Sequence, residues 1–190
     1  MMRVPYDREY AFKRGDLDLV IKDSLVLFGP YQRERWQVAF DSKKLERVGT
    51  VAVFQYHPIG VEIDSLPDFY LTSAFGGRMR NNTHHYPTIH DAFFAMQAGK
   101  VDAVMGMRAE VDWRLSQAEN DQYQLAENGF PSMGKQQWDI GMAVKQTYRQ
   151  LGHAVEEVVD GLIRSGEIEK IYARYGVRYE LPGLYQDVTQ

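Results

Sequence analysis

The sequence contains one helix–glycine–strand motif twice, and this repeat constrains the fold more than any other feature. The copies are AFKRGDLDLVI at 11–21 and AMQAGKVDAVM at 95–105, which align Gly15 with Gly99 and place an aspartate three residues later in each. Glycine allows a left-handed helix C-cap and a sharp reversal of the chain, and the aspartate can accept backbone N–H bonds at the turn. Each copy therefore predicts the end of a helix, a stop at glycine and a strand.

Two interpretations of the repeat stay open. Helix–glycine–strand units are common in α/β proteins, so the match could be chance. Alternatively, each copy marks the equivalent place in one of two similar lobes. Ligands of α/β sheets bind outside the carboxyl ends of the strands, so two facing lobes would form a cleft, and hinge closure would trap a solute there. We predict the second arrangement, with a small solute bound between the lobes.

Hydrophobic patterns predict strands that alternate with helices along most of the chain. Thr88, with Asp91 three residues later, resembles a capping box and predicts a helix that stops at Gly99. A turn is predicted at 28–31, where Gly29 precedes Pro30. The predicted strands are 50–54, 69–72, 101–105 and 140–144, and the predicted helices are 89–98, one from Tyr148, and 168–175. The alternation indicates an α/β class with mainly parallel strands.

Composition excludes several classes of protein. The chain has 190 residues, of which 44% are hydrophobic and 25% charged, so it can bury a core. No apolar run approaches the ~18 residues that a membrane helix needs. The net charge of −4 and the lack of a basic run argue against a nucleic-acid partner. The absence of cysteine removes disulfides, thiolate nucleophiles and cysteine-based metal sites.

A series of further motifs occurs in order along the chain. The motifs are GDLDLVI at 15–21, QRER at 32–35 followed by FDS at 40–42, TVAVF at 50–54, AGKVDAVMG at 98–106, IGMAV at 140–144 and VDGLIRSGEIEKIYARYG at 159–176. Together they resemble the periplasmic solute-binding proteins of polar amino acid ABC importers. The resemblance implies a non-catalytic protein without a cofactor, which binds a small-molecule ligand and meets the membrane subunits of an importer.

The same resemblance implies a two-lobed, periplasmic-binding-protein type II fold with a hinge. Lobe one would comprise 1–50 and 142–190, and lobe two 51–141, with hinge crossings at 50–54 and 140–144. The first residues, MMRVPYDREY, lack the apolar segment of a signal peptide. We therefore expect either a cytosolic protein or, as the resemblance implies, a periplasmic one whose targeting segment lies outside this sequence.

The resemblance implies something about the ligand at two positions, Arg35 and Met107. Family members grip a ligand carboxylate with the arginine of a T-x-E-R motif, and Arg35 stands there. A guanidinium pairs with a carboxylate through two parallel hydrogen bonds. A surface salt bridge to Glu34 or Asp41 is the alternative role for Arg35. Met107 stands where amino acid binders carry an aspartate for the ligand amino group. The resemblance thus favours an anionic or aromatic solute over an ordinary α-amino acid.

Other predicted ligand-binding residues flank these positions. Phe28, Tyr31 and Trp36 lie near Arg35 in sequence, and aromatic rings beside an arginine suit a flat solute. Core packing is the alternative, more so for Trp36 than for Tyr31. Ser24 completes the predicted set on this side.

A glycine pair provides the predicted ligand contacts of the second lobe. The segment containing Gly76, Gly77 and Arg78 stands where that lobe of the family offers backbone N–H groups. Glycine lets the backbone approach a ligand closely, and the arginine adds positive charge. An ordinary glycine turn is the alternative.

The front of the chain departs from the family. Family members begin with a strand and a helix ahead of the first repeat copy, and almost no residues stand there in this sequence. Lobe one would then lack its N-terminal strand and helix, which would leave a bare sheet edge. We expect a truncated gene product, a natural minimal variant or a homo-oligomer that shares strands through the incomplete lobe.

Metal binding and catalysis receive little support from the sequence. His84, His85 and His90 cluster, but Pro87 interrupts the helical spacing that a zinc site would use, so a polar loop without metal is predicted. Two alternative functions remain: a ligand-sensing domain of a signalling receptor, and a dehydratase-like enzyme on the same fold. The candidate acids of such an enzyme are Asp23, Glu110 and Asp112.

Overall fold

The chain divides into two compact units. A computed structural model describes residues 25–118, 121–127 and 137–186. Unit 1 comprises Met1–Glu34, Trp138–Ala173 and Tyr179–Gln190, and unit 2 comprises Arg35–Gln137 and Arg174–Arg178. A division into compact units does not test which residues move as one lobe, so the bounds of the two lobes predicted from the sequence stay a prediction.

Unit 2 is built on a mixed sheet with strand order β3-β2-β4-β1-β5. The strands are β1 Leu25–Asp41, β2 Ile59–Glu62, β3 Thr83–Tyr86, β4 Ala103–Met107 and β5 Tyr123–Leu125. β2 runs parallel to β3 and β4, whereas β1 runs antiparallel to β4 and β5. The predicted α/β class is confirmed, but the sheet is mixed rather than mainly parallel. The reason is that β1 enters unit 2 directly as a continuous strand, without a crossover helix to reverse it.

Three helices connect the strands of unit 2, namely α1 Leu66–Gly77, α2 Ile89–Gln97 and α3 Arg108–Ser116. Thr88 caps α2 by accepting the N–H of Asp91, which confirms the predicted helix start. Gly99 follows α2 with φ of +71°, as the predicted glycine stop requires.

Two predicted strands of unit 2 are wrong. Residues 69–72 lie inside α1, because Ser65 caps that helix and Pro67 favours its first turn. Residues 50–54 largely form a 3₁₀-helix, Val51–Gln55, capped by Thr50. Val51 and Phe54 are both buried, and their spacing of three residues puts them on one side of a 3₁₀-helix. The β-branched composition alone did not reveal this spacing.

The core of unit 2 has one cluster on each face of the sheet. Val38 and Phe40 of β1 belong to the first cluster and Ala39 to the second, as expected for side chains that alternate along a strand. Leu71 of α1 joins the first cluster, and Phe93 of α2 joins the second. The sheet is therefore covered on both faces, so a ligand-binding site is expected where its strands end.

Unit 1 combines the first part of β1 with the C-terminal region of the chain. The elements of that region are β6 Gln137–Lys145, α4 Arg149–Arg164, α5 Glu167–Arg174 and α6 Gly183–Gln186. The first residue of β6 and the last residue of α5 belong to unit 2. β6 pairs with β1. The strand predicted at 140–144 and the two C-terminal helices are confirmed.

The predicted turn at 28–31 is wrong, because these residues belong to β1. Phe28 packs on Gly152 of α4 so closely that a Cβ there would overlap the ring. The N–H of Gly29 donates to a carboxylate oxygen of Glu156 at 2.8 Å. Contacts with α4 thus hold the strand through a glycine–proline pair that locally favours a turn.

Candidate functional site

Three chain segments lie at one end of the strands of the unit 2 sheet, the end at which β2 and β4 finish. Residues 62–66 follow β2 into α1, residues 107–110 follow β4 into α3, and Arg35 and Trp36 of the antiparallel β1 reach the same side. We call these residues the strand-end edge. Ligands of α/β sheets bind outside the carboxyl ends of the strands, and helix N-termini there favour negative charge. The strand-end edge is therefore the candidate site.

The register of β1 and β4 places two predicted site residues at this edge. Trp36 lies opposite Met107, and Arg35 precedes Trp36 by one residue. Trp36 packs against the first core cluster, on the same face as Val38. Because side chains alternate along a strand, Arg35 belongs to the other face, on which α3 lies. Arg35 and Met107 thus share an edge within unit 2 but lie on opposite faces of the sheet.

A tight turn between β2 and α1 forms the next part of the edge. Asp64 adopts φ of +58°, a left-handed conformation that is uncommon for residues other than glycine. Its N–H donates to Oδ2 of Asp68 at 2.9 Å, and Oδ1 of Asp68 lies 2.9 Å from Nε2 of His85. Ser65 accepts the N–H of Asp68 at 3.3 Å. Asp68 therefore ties the turn to both α1 and β3.

The sequence analysis missed this turn, although a signal for it exists. Ser65-Leu66-Pro67-Asp68 combines an N-cap serine, a proline in the first turn and an acidic residue three positions after the cap. That pattern predicts a helix N-terminus directly after a buried strand, and hence a candidate anion site.

Apolar side chains surround the turn. Ile63 is 50% exposed and Phe69 is 47% exposed, while Met107 is half-buried. Val61 lies opposite Met105 on the face of the first cluster, so Ile63 and Met107 follow as the next residues on that face. The edge thus joins an exposed apolar surface to the N-terminus of α1. Such a combination suits a solute with an apolar part and an anionic end.

Tyr86 is the last residue of β3, and its ring packs beside Gly60 of β2 and against the second core cluster. Burial raises the pKa of the Tyr86 hydroxyl above its ordinary value. Its backbone carbonyl accepts the N–H of Ile63 at 2.8 Å. Tyr86 therefore supports the same turn from the neighbouring strand.

The other predicted ligand residues lie elsewhere. Gly76 and Gly77 end α1 with φ of +69° and +77°, followed by Arg78. The backbone leaves helical geometry at 74–76, so they follow the end of the regular part of α1 that is opposite to the strand-end edge. Phe28 is buried against α4 in unit 1, where the backbone carbonyl of Tyr31 also accepts the hydroxyl of Tyr179. Their ligand roles stay predictions.

Several sequence predictions fall on residues 1–24, outside the described residues. These are the predictions that Ser24 contacts the ligand, that Asp23 is a candidate acid, that the first repeat copy forms a helix end and a strand, and that lobe one lacks its N-terminal strand and helix.

Asp112 makes contacts that do not suit a catalytic acid. One carboxylate oxygen accepts the Nε–H of Arg178 at 3.2 Å and the other accepts the Nη2–H at 3.2 Å. Arg108 donates to the same carboxylate at 3.4 Å. Both oxygens are thus engaged by guanidinium groups within the protein, which is the arrangement of a structural ion pair.

The histidine cluster does not form a metal site in the described ranges. His85 is paired with Asp68, and the ring of His90 lies 4.1 Å from that of Phe94. Over 25–118, 121–127 and 137–186, no group of three or more possible ligands converges on one point. Within the same ranges, no helix combines the length and apolarity needed to cross a membrane.

Solved structures that are similar to this chain include amino acid-binding proteins. An amino acid ABC transporter substrate-binding protein from Streptococcus pneumoniae, bound to L-arginine, matches with a TM-score of 0.64 at 18% identity, over 84% of this chain and 63% of that one. An ancestral arginine-binding protein bound to glutamine gives 0.59 at 16% identity, over 83% and 66%. The GluR0 ligand-binding core with L-glutamate gives 0.60 at 14% identity, over 80% and 63%.

The chain has the fold of these solute-binding proteins. It spans just under two thirds of the length of the pneumococcal protein. No family model and no curated protein matches the sequence. The resemblance drawn from the sequence motifs is therefore confirmed at the level of the fold.

Proposed function

We propose that the protein is a non-catalytic solute-binding protein that acts outside the cytoplasm. It binds a small carboxylate at the strand-end edge of unit 2, and an ABC importer then takes up this solute. The observation that carries the proposal is that Arg35, on one face of the sheet, and the pair of Trp36 and Met107, on the other, meet at the strand-end edge, where α1 and α3 begin. Two helix N-termini and a guanidinium favour an anion there. L-arginine, glutamine and L-glutamate, the ligands of the solved relatives, all carry a carboxylate.

The apolar surface of the edge supports a narrower choice of ligand. Ile63, Trp36 and Met107 offer apolar contacts, and methionine cannot pair with an ammonium group. Burying an ammonium group without a partner costs several kcal/mol. We therefore propose a carboxylate with an apolar or aromatic body and without an α-amino group.

Matched pairs of ligands test both levels of the proposal. Thermal shift and calorimetry would compare 3-phenylpropionate with L-phenylalanine and 4-methylvalerate with L-leucine, alongside L-arginine and L-glutamine. We expect the carboxylate without an amino group to bind at least ~10-fold more tightly in each pair. Tighter binding of the amino acids would overturn the narrower ligand class only. The absence of binding by any of these compounds would overturn the proposed function.

Arg35 provides the matched variant experiment. Arg35→Ala should weaken carboxylate binding by about 1.5–3 kcal/mol, the usual contribution of a charge-assisted hydrogen bond. Arg47→Ala is the control, because Arg47 is exposed in unit 2 and pairs with Glu127 at 2.6 Å. Equal affinities for the two variants would remove Arg35 from the site.

A sensing role is the second candidate function. One solved relative is the GluR0 ligand-binding core, so the same fold serves in a ligand-binding core as well as in importer receptors. Copurification with importer membrane subunits would favour uptake. Self-association through an incomplete lobe is also a proposal, and size-exclusion chromatography with light scattering would test it.

A further inference from the structure

The C-terminal region returns to unit 2 for five residues. Residues Arg174–Arg178 belong to unit 2, although the chain before and after them belongs to unit 1. Such a short excursion has no core of its own. What holds it on unit 2 must therefore be found among its individual contacts.

One side of α3 makes these contacts. Arg108, Asp112 and Ser116 are spaced four residues apart and so share one side of the helix. Asp112 accepts both side-chain N–H bonds of Arg178 and, at 3.4 Å, its backbone N–H. Arg108 donates to the backbone carbonyl of Arg178. We call the set of Arg108, Asp112, Ser116 and residues 174–178 the α3 clasp.

The backbone of the excursion is shaped to fit this side of α3. The Ser116 hydroxyl lies 3.2 Å from the carbonyl oxygen of Tyr175 and 2.8 Å from that of Trp113, so its single hydrogen is shared between the two acceptors. Gly176 adopts φ of +67°, and a Cβ at that position would overlap the side chain of Ser116. Both the left-handed conformation and the close approach require glycine here.

The α3 clasp reaches the candidate site through its first member. Arg108 directly follows Met107 and is the first residue of α3, at the strand-end edge. Its side chain is completely buried, and Asp112 is nearly so. A buried guanidinium held by a carboxylate and a backbone carbonyl has little freedom to move alone. Any shift of the start of α3 would therefore disturb the contacts with Arg178.

We propose that Arg108 and Asp112 are positioning residues that couple the strand-end edge to residues 174–178. In this coupling, which rests on the proposed function, solute binding at the start of α3 stabilises the docked excursion. Docking of the excursion stabilises the solute-binding form of the edge to the same extent, because thermodynamic linkage is reciprocal.

Hydrogen exchange without any ligand tests the α3 clasp itself. Arg178→Ala removes the two side-chain bonds to Asp112, whereas Arg174→Ala changes an exposed arginine of the same excursion. We expect Arg178→Ala to speed exchange at 175–178 at least ~10-fold relative to the control. Equal exchange in the two variants would overturn the clasp, whatever the protein binds.

The best carboxylate from the ligand panel then tests the coupling. It should slow exchange at 175–178 in the unaltered chain by a factor on the order of 5. Arg178→Ala should weaken its binding, and the loss reaches the same factor when the variant leaves the excursion undocked. Unchanged affinity in Arg178→Ala would overturn the coupling and leave the proposed function standing. If no solute binds the unaltered chain, the coupling and the proposed function both fail, and the exchange experiment alone decides the clasp.

Discussion

The described residues of the two units pack in different ways. Both clusters of buried apolar residues lie in unit 2, on the two faces of its sheet. Among the described residues of unit 1, the buried apolar residues are Phe28, Ile163, Ile168 and Pro182. Unit 1 instead shows specific polar contacts, such as the pair of Arg33 with Asp139 at 2.8 Å. Unit 2 is thus stabilised mainly by apolar burial, which is the larger and less directional contribution.

The α4 helix illustrates the contrast. Gly152 and Ile163 are buried, whereas Leu151, Val155 and Val158 are exposed. A stripe at 151, 155 and 158 follows helical spacing, yet it lies beside the packed side of the helix rather than on it. An apolar stripe in the sequence therefore does not by itself show which side of a helix is buried.

The largest expected effect tests whether unit 2 depends on its core. Phe54→Ala removes a completely buried ring from the first cluster and should destabilise the protein by about 3–5 kcal/mol. Phe94→Ala is the control, because Phe94 is more than half exposed. Urea unfolding with hydrogen exchange would locate the loss. Comparable losses in both variants would contradict the account of the core.

Two glycines of α4, Gly152 and Gly161, test the packing within unit 1. Gly152→Ala should destabilise by about 1–3 kcal/mol, because the new methyl group overlaps Phe28. Gly161→Ala in the same helix meets nothing within 4 Å and should stabilise by about 0.5–1 kcal/mol, since alanine favours helix. Thermal unfolding would measure both. Effects of the same sign would mean that Phe28 does not pack on α4 as described.

The smallest expected effect is an alkaline loss of stability in unit 1. Burial raises the pKa of Tyr179 to about 12, and its hydroxyl donates to the carbonyl of Tyr31 at 2.8 Å. The unfolded chain ionises this tyrosine near pH 10, whereas the folded chain keeps it neutral. The stabilisation is therefore complete below about pH 10 and is lost as the pH rises towards 12.

We expect a loss of about 1 kcal/mol, since the side chain is only partly buried and solvent screens the effect. Urea unfolding at pH 8 and pH 11 would measure it, with Tyr179→Phe as the control that lacks the ionisable group. An identical pH dependence in both proteins would assign the alkaline loss to other residues.

Local sequence signals predicted the elements whose ends are set by neighbouring residues. Thr88 with Asp91 predicted the start of α2, and Gly99 its end, because capping bonds and left-handed φ act within one turn of the chain. Arg35 and Met107 were also singled out from sequence. Their shared edge and opposite faces depend on the register of β1 with β4, which local residues do not encode.

One error falls where a distant contact outweighs local preference. Gly29 and Pro30 favour a turn, but Glu156 and Gly152 of α4 hold the chain as a strand there. No local pattern could show Glu156 as a partner of Gly29, because it lies 127 residues away in sequence. The turn at Asp64 differs, because Asp68 is a local partner that the sequence shows, whereas His85 comes from β3.

The sequence by itself determined the α/β class, the starts and ends of several helices and the resemblance to solute-binding proteins. The class and the helix ends follow from hydrophobic period, capping and glycine conformation, all of which act over a few residues. The resemblance rests on the series of motifs along the chain. Only the tertiary structure decided that β1 runs through both units, that the candidate site lies at one edge of unit 2, and that Asp112 holds residues 174–178. Strand register and buried ion pairs join residues far apart in the chain, so their energies appear only when the chain is folded.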